Sequence, residues 1–161
     1  MRYFSLKSRD EIEALEKEYT EDKITLKKIF AEEITKRVHG DRAYKAVELV
    51  TQKIFNKKLD QETLKAMPKE DLDLVKSQLP GKTLKKELLD KTVGIIPLCV
   101  EYGEIMSSNS EIRRKIKENA VAINKSKIKA IDFHIDKSHL LEDEYLLIEI
   151  GKKDKYLLRF E

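Results

Sequence analysis

The sequence predicts an α+β fold in which a helical part, residues 1–80, is followed by a smaller mixed part, residues 81–161. Apolar residues recur at three- and four-residue steps through most of the first part, as on one face of an α-helix. Near the end of the chain they form short runs and alternations that are typical of β-strands. Pro80 and Gly81 separate the two patterns, and such a pair breaks regular structure. We therefore expect two domains that meet near residue 80, joined by a linker able to move.

Start and stop signals define the first helices. Ser8 and Glu11 have the spacing of a capping box, which predicts a helix that begins there. A second helical period runs from Leu26 to Gly40, which can supply the left-handed residue at a helix end. Asp41 can cap the next helix. Residues 26–57 therefore predict an antiparallel helical hairpin.

The middle of the chain predicts short helices. One is expected after Pro68, and residues 84–89 suggest one or two helical turns. Residues 96–102, closed by Gly103, predict another helix, because proline is tolerated near a helix start, where Pro97 stands.

The last third mixes both kinds of element. Ser108 and Glu111 form a second capping-box pattern, which opens a basic helix expected to end near Asn119. Residues 121–123 predict a strand, and residues 145–160 predict a hairpin of two strands around a polar turn.

Positive charge is concentrated in one segment of an otherwise nearly balanced chain. Charged residues make up 39% of the 161 residues, yet the formal net charge is only +3. Residues 107–129 contain two acidic side chains and the following basic ones: Arg113, Arg114, Lys115, Lys117, Lys125, Lys127 and Lys129. The small net charge says little about binding partners, whereas a local cluster of positive charge indicates an anionic partner.

Several function classes are not indicated by the sequence. Cys99 is the single cysteine, so an internal disulfide is excluded and a reducing, cytoplasmic location is expected. The three histidines are scattered, which argues against a metal site. No apolar run is long enough to span a bilayer, and no signal peptide is recognisable. Phosphate-binding loops and nucleophile motifs are also missing, so the sequence by itself does not predict catalytic residues.

The basic helix has two interpretations. With Ile112 and Ile116 facing inward, Arg113, Arg114 and Lys117 face outward. An exposed basic face in a highly charged chain is commonly just a solvated face. The basic turn that follows and the serine-rich start of the helix instead favour phosphate oxygens as the partner, and RNA phosphate is the preferred hypothesis.

Residues 106–128 resemble the S4 RNA-binding module. Its pattern is a serine-capped helix with an Arg-Arg pair, here Arg113-Arg114, followed by a short strand that ends in asparagine, here Asn124. Where the module usually has an Asn-Gly turn, this chain has Asn124-Lys125-Ser126. Together with that module, the following segments resemble the C-terminal part of bacterial-type tyrosyl-tRNA synthetases: 2–6, 11–16, 30–40, 145–148, 151–153 and 156–158.

The resemblance implies a parent enzyme of class I that uses ATP to join tyrosine to tRNA(Tyr) through a tyrosyl-adenylate. The HIGH-like and KMSKS motifs of its catalytic domain do not occur here. We therefore expect a non-catalytic region without a cofactor of its own, made of a helical anticodon-binding domain, 1–80, and an S4-like domain, 81–161. The parent is expected to be a homodimer through its catalytic domain.

The resemblance also implies a set of tRNA-binding residues on the capped helix and the following turns. They are Ser107, Ser108, Ser110, Arg113, Arg114, Lys117, Lys125, Lys127, Lys152 and Lys153. Two alternatives remain at this point. One is a free-standing RNA-binding protein with an S4 module, and the other is an interaction module whose basic face meets an acidic protein.

Overall fold

The computed structural model describes residues 5–56 and 61–161. These residues form two compact units: the first ends at Val47, and the second runs from Glu48 to Glu161. Arg2, Tyr3 and Phe4, which contribute to the family resemblance, lie outside the described residues.

The first unit begins with helix α1, Arg9–Glu18. The Ser8 hydroxyl accepts a hydrogen bond from the Glu11 backbone N–H at 3.3 Å, and the Ser8 backbone N–H donates to the Glu11 carboxylate at 2.7 Å. Both halves of the predicted capping box are therefore present, and the predicted start of this helix is confirmed.

Helix α2, Lys23–Leu49, is interrupted at Gly40. Gly40 has φ 83° and ψ 167°, a backbone conformation that is essentially restricted to glycine. The Tyr44 side chain hydrogen-bonds to the Glu32 carboxylate and helps to lower its pKa, after the larger effect of Lys36. In a continuous helix Glu32 and Tyr44 would lie about 18 Å apart along the axis. Their contact therefore shows that the chain turns back at Gly40, as the hairpin prediction requires.

The second unit combines helices and two sheets. Its helical elements are a π-helical turn Val50–Ile54, α3 Gln61–Lys65, α4 Lys69–Gln78, a 3₁₀ turn Lys86–Leu89, α5 Ile95–Pro97 with the π-helical turn Leu98–Tyr102, α6 Asn109–Lys117 and a 3₁₀ turn Lys137–His139. Its strands are β1 Thr83–Leu84, β2 Val93–Gly94, β3 Val121–Ile123, β4 Ser126–Lys127, β5 His134–Ile135, β6 Tyr145–Ile150 and β7 Asp154–Phe160. The α+β fold class is confirmed.

The main sheet has the strand order β1-β7-β6-β3-β4, and β2 pairs with β5 in a second, smaller sheet. The predicted terminal hairpin is confirmed, with Tyr145 opposite Arg159 and Ile150 opposite Asp154. Helical turns were predicted for residues 84–89, and the structure has one there, the 3₁₀ turn Lys86–Leu89. Leu84 instead lies in β1, which pairs in parallel with β7, because pairing with a distant strand outweighs local preference.

Strand β6 lies between two apolar cores, and all six of its residues are buried. Leu146, Ile148 and Ile150 contact the core that contains α6 and α5. Tyr145 and Leu147 contact the other core, which α4 covers. Side chains alternate between the two faces of a strand, so each face meets its own core.

The compact units do not divide where the sequence suggests. Leu64, Leu72, Val75 and Leu79 lie before Pro80, yet they share a core with Leu157 and other residues of β6 and β7. Pro80 and Gly81 do end helix α4, but the chain on both sides packs on the same sheet. The observed division falls at Val47/Glu48.

Candidate nucleic-acid interface

Helix α6 is held by a cap that differs from the prediction. The Ser108 hydroxyl accepts from the Glu111 backbone N–H at 3.3 Å, as expected. The Glu111 carboxylate, however, accepts a hydrogen bond from the Ser107 hydroxyl at 2.8 Å. A carboxylate therefore already lies at the N-terminal end of α6, where the sequence suggested phosphate oxygens. Ser107, Ser108 and Ser110 are exposed but lie at this acidic end of the helix.

The outward face of α6 is basic, as predicted. Ile112 and Ile116 are buried in the core, while Arg113, Arg114 and Lys117 are exposed. Arg114 lies 3.8 Å from Glu118, one turn further on. Exposed pairs of this kind contribute little free energy, so they can be exchanged for phosphate contacts. Arg114, Lys115 and Lys117 also lie in the last turn, where the helix dipole favours cations.

The turn between β3 and β4 keeps a tight two-residue geometry. Asn124 and Lys125 have φ values of 46° and 69°, and Ile123 pairs directly with Ser126. Positive φ at both central residues is the pattern of a type I′ turn. The Asn124 amide, which is buried, donates to the His139 carbonyl at 2.6 Å and accepts from the Leu147 backbone N–H at 3.0 Å. The turn is thereby fixed although lysine replaces the usual glycine.

Lys125 does not join the basic face. Its ammonium lies 3.1 Å from the Glu149 carboxylate and also donates to the Ile54 carbonyl. The side chain is only 11% exposed, and burial lowers the pKa of its ammonium. The sequence suggested an outward phosphate contact here, and the structure places this cation in an internal cluster.

Lys127, Lys152 and Lys153 lie around the C-terminal end of α6. Lys127 donates to the carbonyl of Asn119, just after the helix, at 2.5 Å. The turn that carries Lys152 and Lys153 is held by the Gly151 backbone N–H, which donates to the Ala120 carbonyl at 2.6 Å. All three lysines are exposed. The structure therefore brings residues from three separate segments to one end of the helix.

Sequence reasoning missed the charge cluster beneath this surface. Glu149 and Lys155 are buried, and the Lys155 ammonium donates to the Glu149 carboxylate, which also binds Lys125. The pairing of Glu149 with Lys155 follows from the register of the terminal hairpin. Counting back from the polar turn could therefore have identified this pair, since both residues interrupt apolar strands.

Two further kinds of site are absent from the described ranges. No group of three metal-binding side chains lies close enough together there to hold an ion. No helix in those ranges is both long and apolar enough to cross a membrane.

Comparison with known proteins decides the family. A family model that describes the tyrosine–tRNA ligase SYY-like C-terminal domain matches residues 71–158, more than half of the chain. The chain belongs to this family. A tyrosine–tRNA ligase of Cytophaga hutchinsonii is 33% identical over 164 residues, which cover 99% of this chain and 38% of the relative.

Other members of the family give the same result. A tyrosine–tRNA ligase of Parabacteroides distasonis is 32% identical over 98% of this chain and 37% of its own length. The corresponding ligase of Oceanobacillus iheyensis is 28% identical over 100% of this chain and 36% of its own length. The chain thus spans less than two fifths of the length of these relatives, and the recognition from sequence is confirmed.

Proposed function

We propose that this chain is the tRNA-binding C-terminal region of a tyrosine–tRNA ligase. The exposed cations at the C-terminal end of α6 bind the sugar-phosphate backbone of tRNA(Tyr) near the anticodon stem and the variable arm. The observation that carries the proposal is the convergence of the α6 face, Lys127 and the turn at residues 151–153 on one surface.

The chemistry of these groups favours phosphate over bases. Exposed arginine and lysine side chains can neutralise phosphates and release counterions. Such contacts position an RNA and carry little sequence information. The binding set therefore consists of Arg113, Arg114, Lys117, Lys127, Lys152 and Lys153, and Lys125 supports the surface from below.

The wider functional setting is part of the same proposal. The parent enzyme activates tyrosine with ATP and transfers it to tRNA(Tyr) in the cytoplasm, and it forms a homodimer through its catalytic domain. The region present in this chain contributes RNA binding and no activation chemistry. Pyrophosphate exchange with tyrosine is therefore expected to stay at background when this chain is assayed alone.

The test is filter binding of tRNA(Tyr) over a series of salt concentrations. In the test variant, Arg113 and Arg114 are both replaced by glutamine. The control variant replaces Lys85 and Lys91 by glutamine. Both lysines are exposed and follow β1, the strand at the opposite edge of the main sheet. Each variant loses two positive charges, so only the location of the charges differs.

The salt dependence is the main readout. Loss of two phosphate contacts should reduce the log-log salt slope by about 1.5 units. It should also weaken binding at low salt, whereas the control should retain the parent slope. Equal slopes in the parent and the Arg113/Arg114 variant, with unchanged thermal stability, would show that this is only a solvated face.

A further inference from the structure

A depression of about 350 Å³ lies beside β3 and β6, next to the proposed tRNA-binding surface. Its walls include small residues of β3 and of the β6–β7 turn, which leave the space open. Six of its side chains carry charge or an aromatic ring: Phe55, Lys125, Lys127, Glu149, Lys152 and Lys155. Its size is within the range of about 300–1,000 Å³ that holds small organic ligands, and it is larger than a single phosphate group needs.

The charge of the depression is unbalanced. Among the lining residues that the structure describes, Glu149 is the one carboxylate, against four lysines. The Lys125 and Lys155 side chains are 11% and 7% exposed, and both ammonium groups share that carboxylate. Glu149 can neutralise only one of them. Since a buried cation without a counter-ion is unfavourable, the cluster favours an additional anion.

The two remaining lysines stand at the rim with their charge available. Lys127 donates to a neutral backbone carbonyl, which satisfies a hydrogen bond without cancelling the positive charge. Lys152 is exposed on the β6–β7 turn, and it makes no ion pair with the residues that the structure describes. An anion that enters the depression therefore meets exposed cations at the rim and nearly buried cations below.

An aromatic ring borders the same depression. Phe55 is 43% exposed, so part of its ring is accessible to a ligand. The Lys155 ammonium lies 5.4 Å from its ring centroid, a distance suited to a cation–π contact that holds the ring in place. Exposed aromatic rings beside cations are typical of proteins that bind single-stranded nucleic acid, because bases stack on the ring while lysines neutralise the backbone.

We propose that this depression binds one unpaired RNA nucleotide, with its phosphate at Lys127 and Lys152 and its base stacked on Phe55. The proposal rests on the proposed RNA-binding function and adds a second type of contact to it. The α6 surface contacts phosphates of any strand, whereas this pocket requires a base that is free to leave its helix.

The experiment uses the full chain and a single-stranded oligouridylate of about seven nucleotides, within the usual site sizes of such proteins. The oligouridylate carries one 4-thiouridine for photocrosslinking. Affinity is measured by fluorescence anisotropy, and the crosslinked peptide is identified by mass spectrometry. Tripolyphosphate serves as an anion without a base, and an acidic peptide of matched charge serves as a protein-like competitor.

Two pocket variants and one control separate the base contact from the phosphate contact. Phe55→Leu removes the ring, and Lys152→Gln removes one rim cation. Tyr102→Leu removes an exposed aromatic ring outside the pocket. All three positions are exposed, and circular dichroism checks that each variant is folded.

We expect Phe55→Leu to weaken oligouridylate binding by at least about fivefold. It should abolish the crosslink to the Phe55 peptide and leave tripolyphosphate binding unchanged. Lys152→Gln should weaken both ligands, and Tyr102→Leu neither. Unchanged oligouridylate affinity in Phe55→Leu would overturn the proposal, and so would equal competition by the acidic peptide. If the oligouridylate does not bind while tRNA(Tyr) still binds through Arg113 and Arg114, only this inference fails; if neither RNA binds, the proposed function fails too.

Discussion

Replacement of Glu149 by glutamine tests the buried charge cluster on β6 and β7. In the parent chain, one carboxylate accepts hydrogen bonds from Lys125 and Lys155. Glutamine has nearly the same shape but no charge. The variant therefore leaves two ammonium groups close together, both nearly buried, without a negative partner.

The expected loss of stability can be estimated from that geometry. Removal of one partner of a buried ion pair typically costs about 3–5 kcal/mol of unfolding free energy. We expect about 3 kcal/mol, the lower end, because the glutamine carbonyl still accepts one hydrogen bond and the lysines border an open depression. For a chain of this size the loss corresponds to a decrease in Tm of about 6–12 °C.

The pH dependence gives a second and independent readout. Burial lowers the pKa of Lys125 in the folded state, while Glu149 partly opposes that shift. Without Glu149 the folded pKa of Lys125 falls further. The unfolded chain then binds more protons than the folded chain, so stability rises with pH up to the unfolded lysine pKa of about 10.4. The deficit of Glu149→Gln should therefore shrink between neutral pH and about pH 10.

The assay is thermal unfolding followed by circular dichroism across that pH range. Glu118→Gln is the matched control, because Glu118 is exposed and its loss should change stability by at most about 0.5 kcal/mol. Lys155→Met should be far milder than Glu149→Gln, since it leaves one balanced pair of Lys125 and Glu149. A Glu149→Gln variant as stable as the parent, or with a deficit that does not change with pH, would refute the reasoning.

Three further predictions concern other parts of the chain. Gly40→Ala should lower the free energy of unfolding by about 1–3 kcal/mol in a urea titration, because only backbone strain opposes alanine there; a negligible change would contradict the observed φ and ψ. Tyr145→Phe removes a hydroxyl that donates to Asp73 and should cost about 1–3 kcal/mol. Burial, and after it the hydrogen bond to Asp73, raises the pKa of Tyr145, so the folded parent keeps a proton that the unfolded chain loses above about pH 10. Above that pH the stability of the parent should therefore fall more steeply than the stability of Tyr145→Phe. Parallel pH profiles of the two proteins would count against this. Burial raises the pKa of Cys99 to about 12, so its thiol should react with Ellman's reagent only after denaturation, and rapid reaction of the native chain would show that the site opens.

Features specified by neighbouring residues could be predicted from the sequence. The Ser8 cap and the terminal hairpin depend on residues a few positions apart, and both are confirmed. The cap of α6 was predicted only in part, because Ser107 competes for the Glu111 carboxylate. Ser107 and Ser108 are adjacent, and the sequence does not indicate which of their hydroxyls donates to the Glu111 carboxylate.

Features that depend on distant residues could not be predicted in the same way. The inward direction of Lys125 follows from the carbonyl of Ile54, 71 positions away. The strand at Leu84 exists because β7 supplies its hydrogen bonds. The exposed direction of Arg113 and Arg114, by contrast, followed from the helical period alone, and their role in binding tRNA stays a prediction.

The position of β6 between two cores limits how this protein can be divided. A fragment that starts after Gly81 would keep α6 and the basic turns but lose Leu64, Leu72 and Val75, which cover one face of the sheet. Tyr145 and Leu147 would then face water, and each exposed apolar side chain favours unfolding or aggregation. The proposed RNA-binding surface is thus not an independent module whose segment folds without the helices before it. Any smaller version that carries it has to begin before Leu49.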